Sequence, residues 1–249
     1  FDLVSVDSAC EHCASGCAMR TDIRRGKTLR RLAGDDSSVN EEWNCDKGRW
    51  AFKYLTSRER VASPMIRGED GELHEASWPE AIAFAATGLK GKRAGVLVGG
   101  RATVEDAYGY SKFARVALGT NDIDFRSRPH SDEETSFLSS VLLGLKTTYK
   151  DIDKADQVVL LGFEPEEESP IVFLRIYKQL RKRALTVISD APVASRGSVK
   201  LKAELVSDIA SISGLTSKSV ILVGERLGEK VGGLSAAVDL AEKSGAKLA

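Results

Sequence analysis

This sequence has no long apolar run and no excess of charge of either sign, and it has few histidines. Its 36 Lys+Arg balance 36 Asp+Glu, so the formal net charge is zero and gives no reason to expect nucleic acid or an anionic membrane surface as a partner. The strongly apolar runs, such as residues 157–163, are far too short to cross a bilayer. We therefore expect no nucleic-acid partner and no direct insertion into a membrane.

Groups that carry acid–base or nucleophilic catalysis are also scarce. The chain has three histidines, and all four of its cysteines lie within the first 45 residues. No Ser-His-Asp or Cys-His arrangement can be assembled from them with any assurance. Glycines follow several predicted strands, but no Gly-x-Gly-x-x-Gly or Gly-x4-Gly-Lys-Ser/Thr motif is complete. The sequence thus assigns no catalytic residue.

What the sequence does contain is an isolated group of four cysteines. Cys10, Cys13 and Cys17 lie close together, and Cys45 follows after 27 further residues. A cubane iron-sulfur cluster needs one thiolate for each iron, and three cysteines of one loop with a distant fourth meet that need. The residues around the first three are small, which lets backbone N–H groups approach the sulfurs. We predict that these four cysteines bind one [4Fe-4S] cluster.

Two other uses of the cysteines stay open. Structural zinc sites usually draw cysteines as two closely spaced pairs, whereas Cys45 has no nearby Cys or His companion, so a zinc-stapled binding module is the weaker interpretation. Disulfides rank last, because no signal-peptide pattern suggests secretion. His12 lies between two of the cysteines, and we expect it beside the metal rather than bound to it, because four thiolates already complete the ligand set.

The sequence predicts two domains, residues 1–68 and 69–249. The first carries the cysteines and a hairpin from Met19 to Leu32 around the turn at Gly26. The second alternates strand and helix patterns, which implies a doubly wound, mostly parallel α/β sheet. Strands are predicted over 94–98, 123–125, 158–162, 185–189 and 220–223. A helix is predicted to start at Ser77, and further helices are predicted over 103–118, 169–182 and 234–244. Since the chain stops where a further strand should begin, we expect this Rossmann-like domain to be truncated at its C-terminus.

At this point the motifs resemble a known family. The cysteine spacing with the segment Cys45 to Arg49 is similar to the amino-terminal cluster domain of the molybdopterin oxidoreductase superfamily. The alternation after residue 77, with Gly162 to Pro165 after a strand, resembles the half of those proteins that binds the pterin dinucleotide. The stretch Asn40 to Trp50 resembles the large iron-sulfur subunits of bacterial NADH:quinone oxidoreductases, the respiratory complexes I. The similarity spans nearly the whole chain.

The resemblance implies that this chain is part of an oxidoreductase, the proton-translocating NADH dehydrogenase. It also implies that the chain alone carries no substrate site. It places Lys47 and Arg49 close to the cluster, where cationic charge stabilises the reduced state. It implies other subunits of the peripheral arm as partners, at the cytoplasmic side of the bacterial inner membrane. The alternative it leaves is the amino-terminal half of a molybdopterin enzyme such as a formate dehydrogenase or nitrate reductase, in which Lys47 would relay electrons between cluster and pterin.

Departures from the superfamily pattern favour the first of these. Glu164 stands where cofactor-binding relatives usually have Asn, and three more glutamates follow it. Carboxylates there should repel a pyrophosphate. The turn at Asp190 lacks the arginine that such relatives place nearby, and Arg101 and Arg226 are the cations that could replace it.

The sequence also lacks a cysteine after Cys45 that could ligate molybdenum. The ligand position would fall near residues 128–130, where Ser127, Ser131 or Asp132 could still serve. We therefore expect the α/β domain to bind neither molybdopterin nor NADH.

Overall fold

The computed structural model describes residues 2–249, which divide into two compact units. The main unit joins the residues up to Ala51 with His130–Ala249, and the second unit is Phe52–Pro129. The contacts thus divide the chain at other places than residue 68, and the two-domain boundary there stays a prediction. The main unit contains all four cysteines and the large parallel sheet, so these can be described together.

An antiparallel sheet of three strands begins the main unit. Its strands are β1 (Val4–Ala9), β2 (Ala18–Arg24) and β3 (Lys27–Ala33), in the order β1-β2-β3. The predicted hairpin is confirmed as β2 and β3, whose turn residues Arg25 and Gly26 have φ of 48° and 73°. Positive φ at both central residues is the conformation that matches the twist of a two-residue hairpin. The loop between β1 and β2 carries the first three cysteines, and the short helix α1 (Asp46–Trp50) follows the fourth.

The second unit has two small sheets and two helices. In chain order these elements are β4 (Met65–Arg67), β5 (Leu73–Glu75), α2 (Trp78–Leu89), β6 (Val96–Leu97), α3 (Val104–Phe113) and β7 (Ile123–Asp124). The predicted start of α2 is confirmed, because Ser77 and Glu80 form a capping box in which Ser77 N donates to Glu80 Oε2 at 2.8 Å. The helix predicted over 103–118 is an α-helix up to Phe113 and continues as a π-helix from Ala114 to Leu118.

A five-stranded parallel sheet is the centre of the main unit. Its elements follow in the order α4 (Asp132–Ser136), α5 (Tyr149–Lys154), β8 (Gln157–Leu161), α6 (Pro165–Glu168), α7 (Pro170–Leu180), β9 (Thr186–Ser189), α8 (Arg196–Lys200), β10 (Glu204–Leu205), β11 (Ser219–Val223), α9 (Gly233–Ser244) and β12 (Lys247–Leu248). The spatial order is β10-β9-β8-β11-β12, and every neighbouring pair is parallel. Numbered within the sheet this is 3-2-1-4-5, an order of the doubly wound class that the sequence predicted. The strands predicted over 94–98 and 123–125 are β6 and β7, which pair with each other in the second unit.

Two apolar cores cover the two faces of this sheet. Successive side chains of a strand point to opposite faces, so Val159 and Leu161 pack with α9, whereas Val158 and Leu160 pack with α7. Because both faces are covered, β8 and β11 read as nearly unbroken Val, Ile and Leu runs. That is why the sequence pattern located them closely.

The turns after β8 and β11 pack backbone against backbone. A Cβ atom on Gly224 would collide with the carbonyl oxygen of Gly162, so a glycine is required there. These adjacent turns mark the point where the strand order reverses, and open α/β sheets bind ligands in the crevice at that point.

Candidate metal centre

Three of the cysteines are held by one closed loop. Cys10 N donates to Cys17 O at 2.9 Å, so the loop continues the pairing of β1 with β2 and brings the ends of the triplet together. Gly16, with φ of 72°, provides the left-handed turn before Cys17. The side chain of Cys17 is buried, and those of Cys10 and Cys13 are half-buried.

A buried asparagine brings the fourth cysteine to this loop. Asn40 is 2% exposed, accepts a hydrogen bond from Ala18 N at 2.8 Å, and donates to Ala18 O at 3.1 Å and to Trp43 O at 2.8 Å. It thereby ties the start of β2 to the residues just before Cys45. A Cβ atom on Gly48 of α1 would lie 3.3 Å from Cys10 Sγ, which shows how closely the helix after Cys45 approaches the loop.

The four cysteines are free thiols that influence one another. Burial first, and then the charges of the other three cysteines, raise the pKa of Cys17 to about 12. Burial also raises the pKa of Cys10. Without a cation the thiolates of Cys10 and Cys17 are disfavoured, because burial and neighbouring like charges oppose ionisation. Iron supplies the compensating charge, so the donor set fits a metal cofactor.

A cluster and a single ion require different geometries of their ligands. Within residues 2–249, no three His, Cys, Asp or Glu side chains converge closely enough to bind one metal ion together. Tetrahedral zinc would require such convergence, with each sulfur about 2.3 Å from one centre. A cubane gives each cysteine its own iron, so its four ligands need not converge on one point.

The other residues that the sequence places near the cluster each contact different groups of the protein. His12 Nε2 lies 3.6 Å from Glu11 Oε1, and Glu11 is paired with Arg31 at 2.6 Å. Lys47 Nζ donates to Glu167 O at 3.4 Å. The Arg49 guanidinium lies over the Trp50 ring, 5.6 Å from its centroid. The roles of His12, Lys47 and Arg49 stay predictions.

A cavity of about 890 Å³ opens between the cysteines and the crevice of the parallel sheet. Cys13, Cys45 and Lys47 line one part of it, and Phe163 and Gly224 line another. This is the place where the doubly wound fold offers a ligand site, and the cysteine loop forms one of its walls.

Two glutamates of the acidic turn beside this cavity are paired with the chain's own cations. Glu166 accepts from Arg196 at 2.5 Å and from Lys200 at 2.8 Å, and Glu168 accepts from Arg226 at 2.5 Å. The Arg196 guanidinium and the Lys200 ammonium lower the pKa of Glu166 to about 2. Of these cations only Arg226 is indicated by the sequence. The others lie on α8, which parallel pairing of β8 with β9 brings beside the turn, and no local pattern indicates this.

The second acidic turn is also satisfied internally. Asp190, which is buried, accepts from Gly162 N at 2.7 Å and from Lys230 Nζ at 2.7 Å. Both carboxylate oxygens are therefore engaged with the chain itself. Four cations at the two turns are thus each paired with a carboxylate, namely Arg196, Lys200, Arg226 and Lys230.

Comparison with known proteins agrees with this architecture. The family model described as molybdopterin oxidoreductase Fe4S4 domain matches residues 3–57, and the model described as molybdopterin oxidoreductase matches residues 60–213. The chain belongs to the molybdopterin oxidoreductase family, and its cofactor is a [4Fe-4S] cluster.

Curated relatives show which members of the family this chain is similar to in sequence. The chain is 54% identical over 271 residues to the NADH-quinone oxidoreductase G subunit of Mycobacterium bovis and 47% identical over 289 residues to that of Streptomyces coelicolor. Both matches cover 100% of this chain and 34% of the relative. The F420-dependent formate dehydrogenase subunit alpha of Methanocaldococcus jannaschii is 31% identical over 74% of this chain and 28% of its own length. The chain thus spans about a third of the length of the curated relatives that it matches most fully. Within residues 2–249, no helix is long and apolar enough to cross a membrane.

Proposed function

We propose that this chain is the cluster-bearing part of the large iron-sulfur subunit of an NADH:quinone oxidoreductase. Cys10, Cys13, Cys17 and Cys45 would each ligate one iron of the [4Fe-4S] cluster, which accepts and returns one electron when bound. The observation that carries the proposal is the meeting of the closed β1–β2 loop with the asparagine-held segment before Cys45. The 54% identity over the full chain to the relative from Mycobacterium bovis supports the choice of complex.

The partners would be other subunits of the peripheral arm, at the cytoplasmic side of the bacterial inner membrane. Trp43 and Trp50 support an interface near the cluster, because they are 60% and 55% exposed and large aromatics are enriched at interface cores. Cross-linking of the intact complex tests this proposal. Residues 1–68 should give links to other subunits, and a complex in which they give none would refute it.

A second candidate is the front part of a molybdenum enzyme. The cavity beside the cysteines favours it, because a pterin in that crevice would lie near both Lys47 and the cluster. The likeness to the formate dehydrogenase subunit points the same way. Against it stand the carboxylates of Glu164, Glu166 and Glu168 at the turn, which meet the chain's own donors and cations.

Metal analysis of the full-length protein, purified without oxygen, separates the two candidates. We expect iron and sulfide without molybdenum, and Cys45→Ser should remove about four irons per chain, one cubane. Stoichiometric molybdenum would establish the second candidate, and zinc in place of iron would refute both. As a direct check, calorimetric titration with GDP, pterin dinucleotide and NADH should show no binding to the α/β portion, whereas micromolar affinity for any of them would contradict the proposed loss of that site.

A further inference from the structure

A buried serine lies between a predicted iron ligand and the parallel-sheet portion of the main unit. Ser15 is 5% exposed, and its Oγ lies 3.2 Å from Cys13 Sγ. The same Oγ lies 2.5 Å from Ser169 Oγ, although the two serines are 154 residues apart in the chain. Cys13, Ser15 and Ser169 thus form one line of hydrogen-bond distances.

Proton accounting fixes the direction of this line once iron is bound. An iron-bound thiolate has no proton, so it can only accept. A serine hydroxyl has one proton to donate and can accept from others. Ser15 therefore donates to Cys13 Sγ, and Ser169 must donate to Ser15 Oγ.

Both serines are fixed in place by other contacts. Tyr149 Oη donates to the Ser15 carbonyl at 2.7 Å, on the backbone side of the same residue. Ser169 stands between α6 and α7, where its N–H donates to Pro165 O at 3.1 Å and its carbonyl accepts from Phe173 N at 3.2 Å. The backbone at both serines is consequently held in position before any charge reaches the cluster.

We propose that Ser15 and Ser169 form a two-hydroxyl chain that raises the reduction potential of the cluster, with Ser169 acting as a positioning residue through Ser15. The proposal rests on Cys13 being a ligand, as in the proposed function. Reduction adds negative charge to the cluster and its sulfurs, and a hydrogen bond to a charged acceptor is stronger than one to a neutral acceptor. Donors to the sulfurs therefore stabilise the reduced cluster more than the oxidised one.

The chain also predicts how the two serines combine. A hydroxyl that accepts a hydrogen bond becomes a better donor, so Ser169 strengthens the bond from Ser15 to sulfur. Once Ser15 is alanine, Ser169 has no route to the cluster. The effects of the two substitutions should therefore be strongly non-additive, which a double-mutant cycle measures.

The test is a redox titration of the full-length protein with dithionite, followed by electron paramagnetic resonance. The signal of this cluster is the one that Cys45→Ser abolishes. We expect Ser15→Ala to move its potential to more negative values and Ser169→Ala to move it less in the same direction. The double variant should match Ser15→Ala. Ser169→Thr, which keeps a hydroxyl, should restore the potential.

Ser219→Ala is the matched control, because Ser219 is a buried serine that donates to Gln157 Oε1 at 2.8 Å, away from the cysteines. It should leave the potential unchanged. Unchanged potentials in Ser15→Ala and Ser169→Ala at wild-type iron content would overturn the inference. If Ser15→Ala does not retain iron, Ser169→Ala and Ser169→Thr decide it. Absence of iron from the wild type would instead refute the proposed function, so the two failures are distinguishable.

Discussion

The Arg175 guanidinium donates from Nε to the carbonyl oxygen of Val39 at 2.8 Å, which joins α7 to the segment before the fourth cysteine. Its Nη2 donates to Ser37 O at 3.1 Å, and its Nη1 to Asp153 Oδ2 at 2.5 Å. Arg175 is 4% exposed. One buried side chain thus links the cysteine-bearing segment, α5 and α7.

Replacing this arginine should strongly destabilise the main unit. In Arg175→Met the Asp153 carboxylate and two backbone carbonyls lose their donor, and each buried group left unsatisfied costs about 1–3 kcal/mol. Chemical denaturation measures the loss. Arg181→Met is the control, because Arg181 is exposed at the end of the same helix and makes no ion pair with the described residues. It should change stability by less than about 0.5 kcal/mol, and equal losses in both variants would contradict the role given to Arg175.

The amide of Asn40 should matter more than that of its neighbour Asn44. Asn40→Ala leaves Ala18 N and two carbonyls without their partner, and each buried group left unsatisfied costs about 1–3 kcal/mol. Cys45 should then be held less firmly, so the purified variant should retain less iron. Asn44, whose Nδ2 lies 4.0 Å from Met19 Sδ, is the control. Iron content and thermal denaturation compare the two, and an Asn40→Ala protein with full iron would refute this positioning role.

Local sequence patterns predicted those elements whose burial is evident from the apolar residues in their own sequence. The runs at β8 and β11 are apolar at almost every position because the sheet is covered on both faces. Even β12 (Lys247–Leu248) lies where the pattern indicated that another strand should begin. By contrast, β1 (Val4–Ala9) was not predicted, because it is exposed along most of its length and is fixed by pairing with β2.

The site divides in the same way between local and distant information. Cysteine spacing is a local signal, so the four proposed ligands could be predicted from the sequence. The contact of Ser15 with Ser169 joins residues 154 apart, and the Arg196 contact with Glu166 depends on the register of β8 and β9. No sequence motif predicts either contact, because serine, arginine and glutamate are common residues in segments of these kinds.

Alanine should be tolerated at one helical glycine, Gly88, and should disturb iron binding at another, Gly48. Gly48 and Gly88 both lie in helices, where alanine is favoured over glycine by about 1 kcal/mol. A Cβ atom on Gly88 meets no atom within 4 Å, so Gly88→Ala should stabilise the protein. A Cβ atom on Gly48 would lie 3.3 Å from Cys10 Sγ, which must be free to meet iron. Gly48→Ala should therefore lower iron retention, measured after anaerobic gel filtration, and full retention would show that the helix does not constrain Cys10.

Acid should remove the stabilising contribution of Glu166. Its pKa is about 2, below the ordinary 4.5, first because Arg196 donates to it and then because Lys200 does. A carboxyl whose pKa is lowered by folding stabilises the fold above its unfolded pKa, and this contribution is lost as the pH falls from about 4.5 towards about 2. Glu166→Gln should thus be less stable than the wild type near pH 7, by about 1 kcal/mol or less because both cationic partners are largely exposed. The difference in stability between the two proteins should shrink steadily below about pH 4.5.

Denaturation of both proteins at a series of pH values measures this difference. Subtracting one stability from the other removes effects that the proteins share, including acid loss of the cluster. Glu242→Gln, which changes an exposed glutamate, should differ little from the wild type at every pH. A Glu166→Gln difference that stays constant down to about pH 3 would show that the Arg196 and Lys200 contacts do not stabilise the fold.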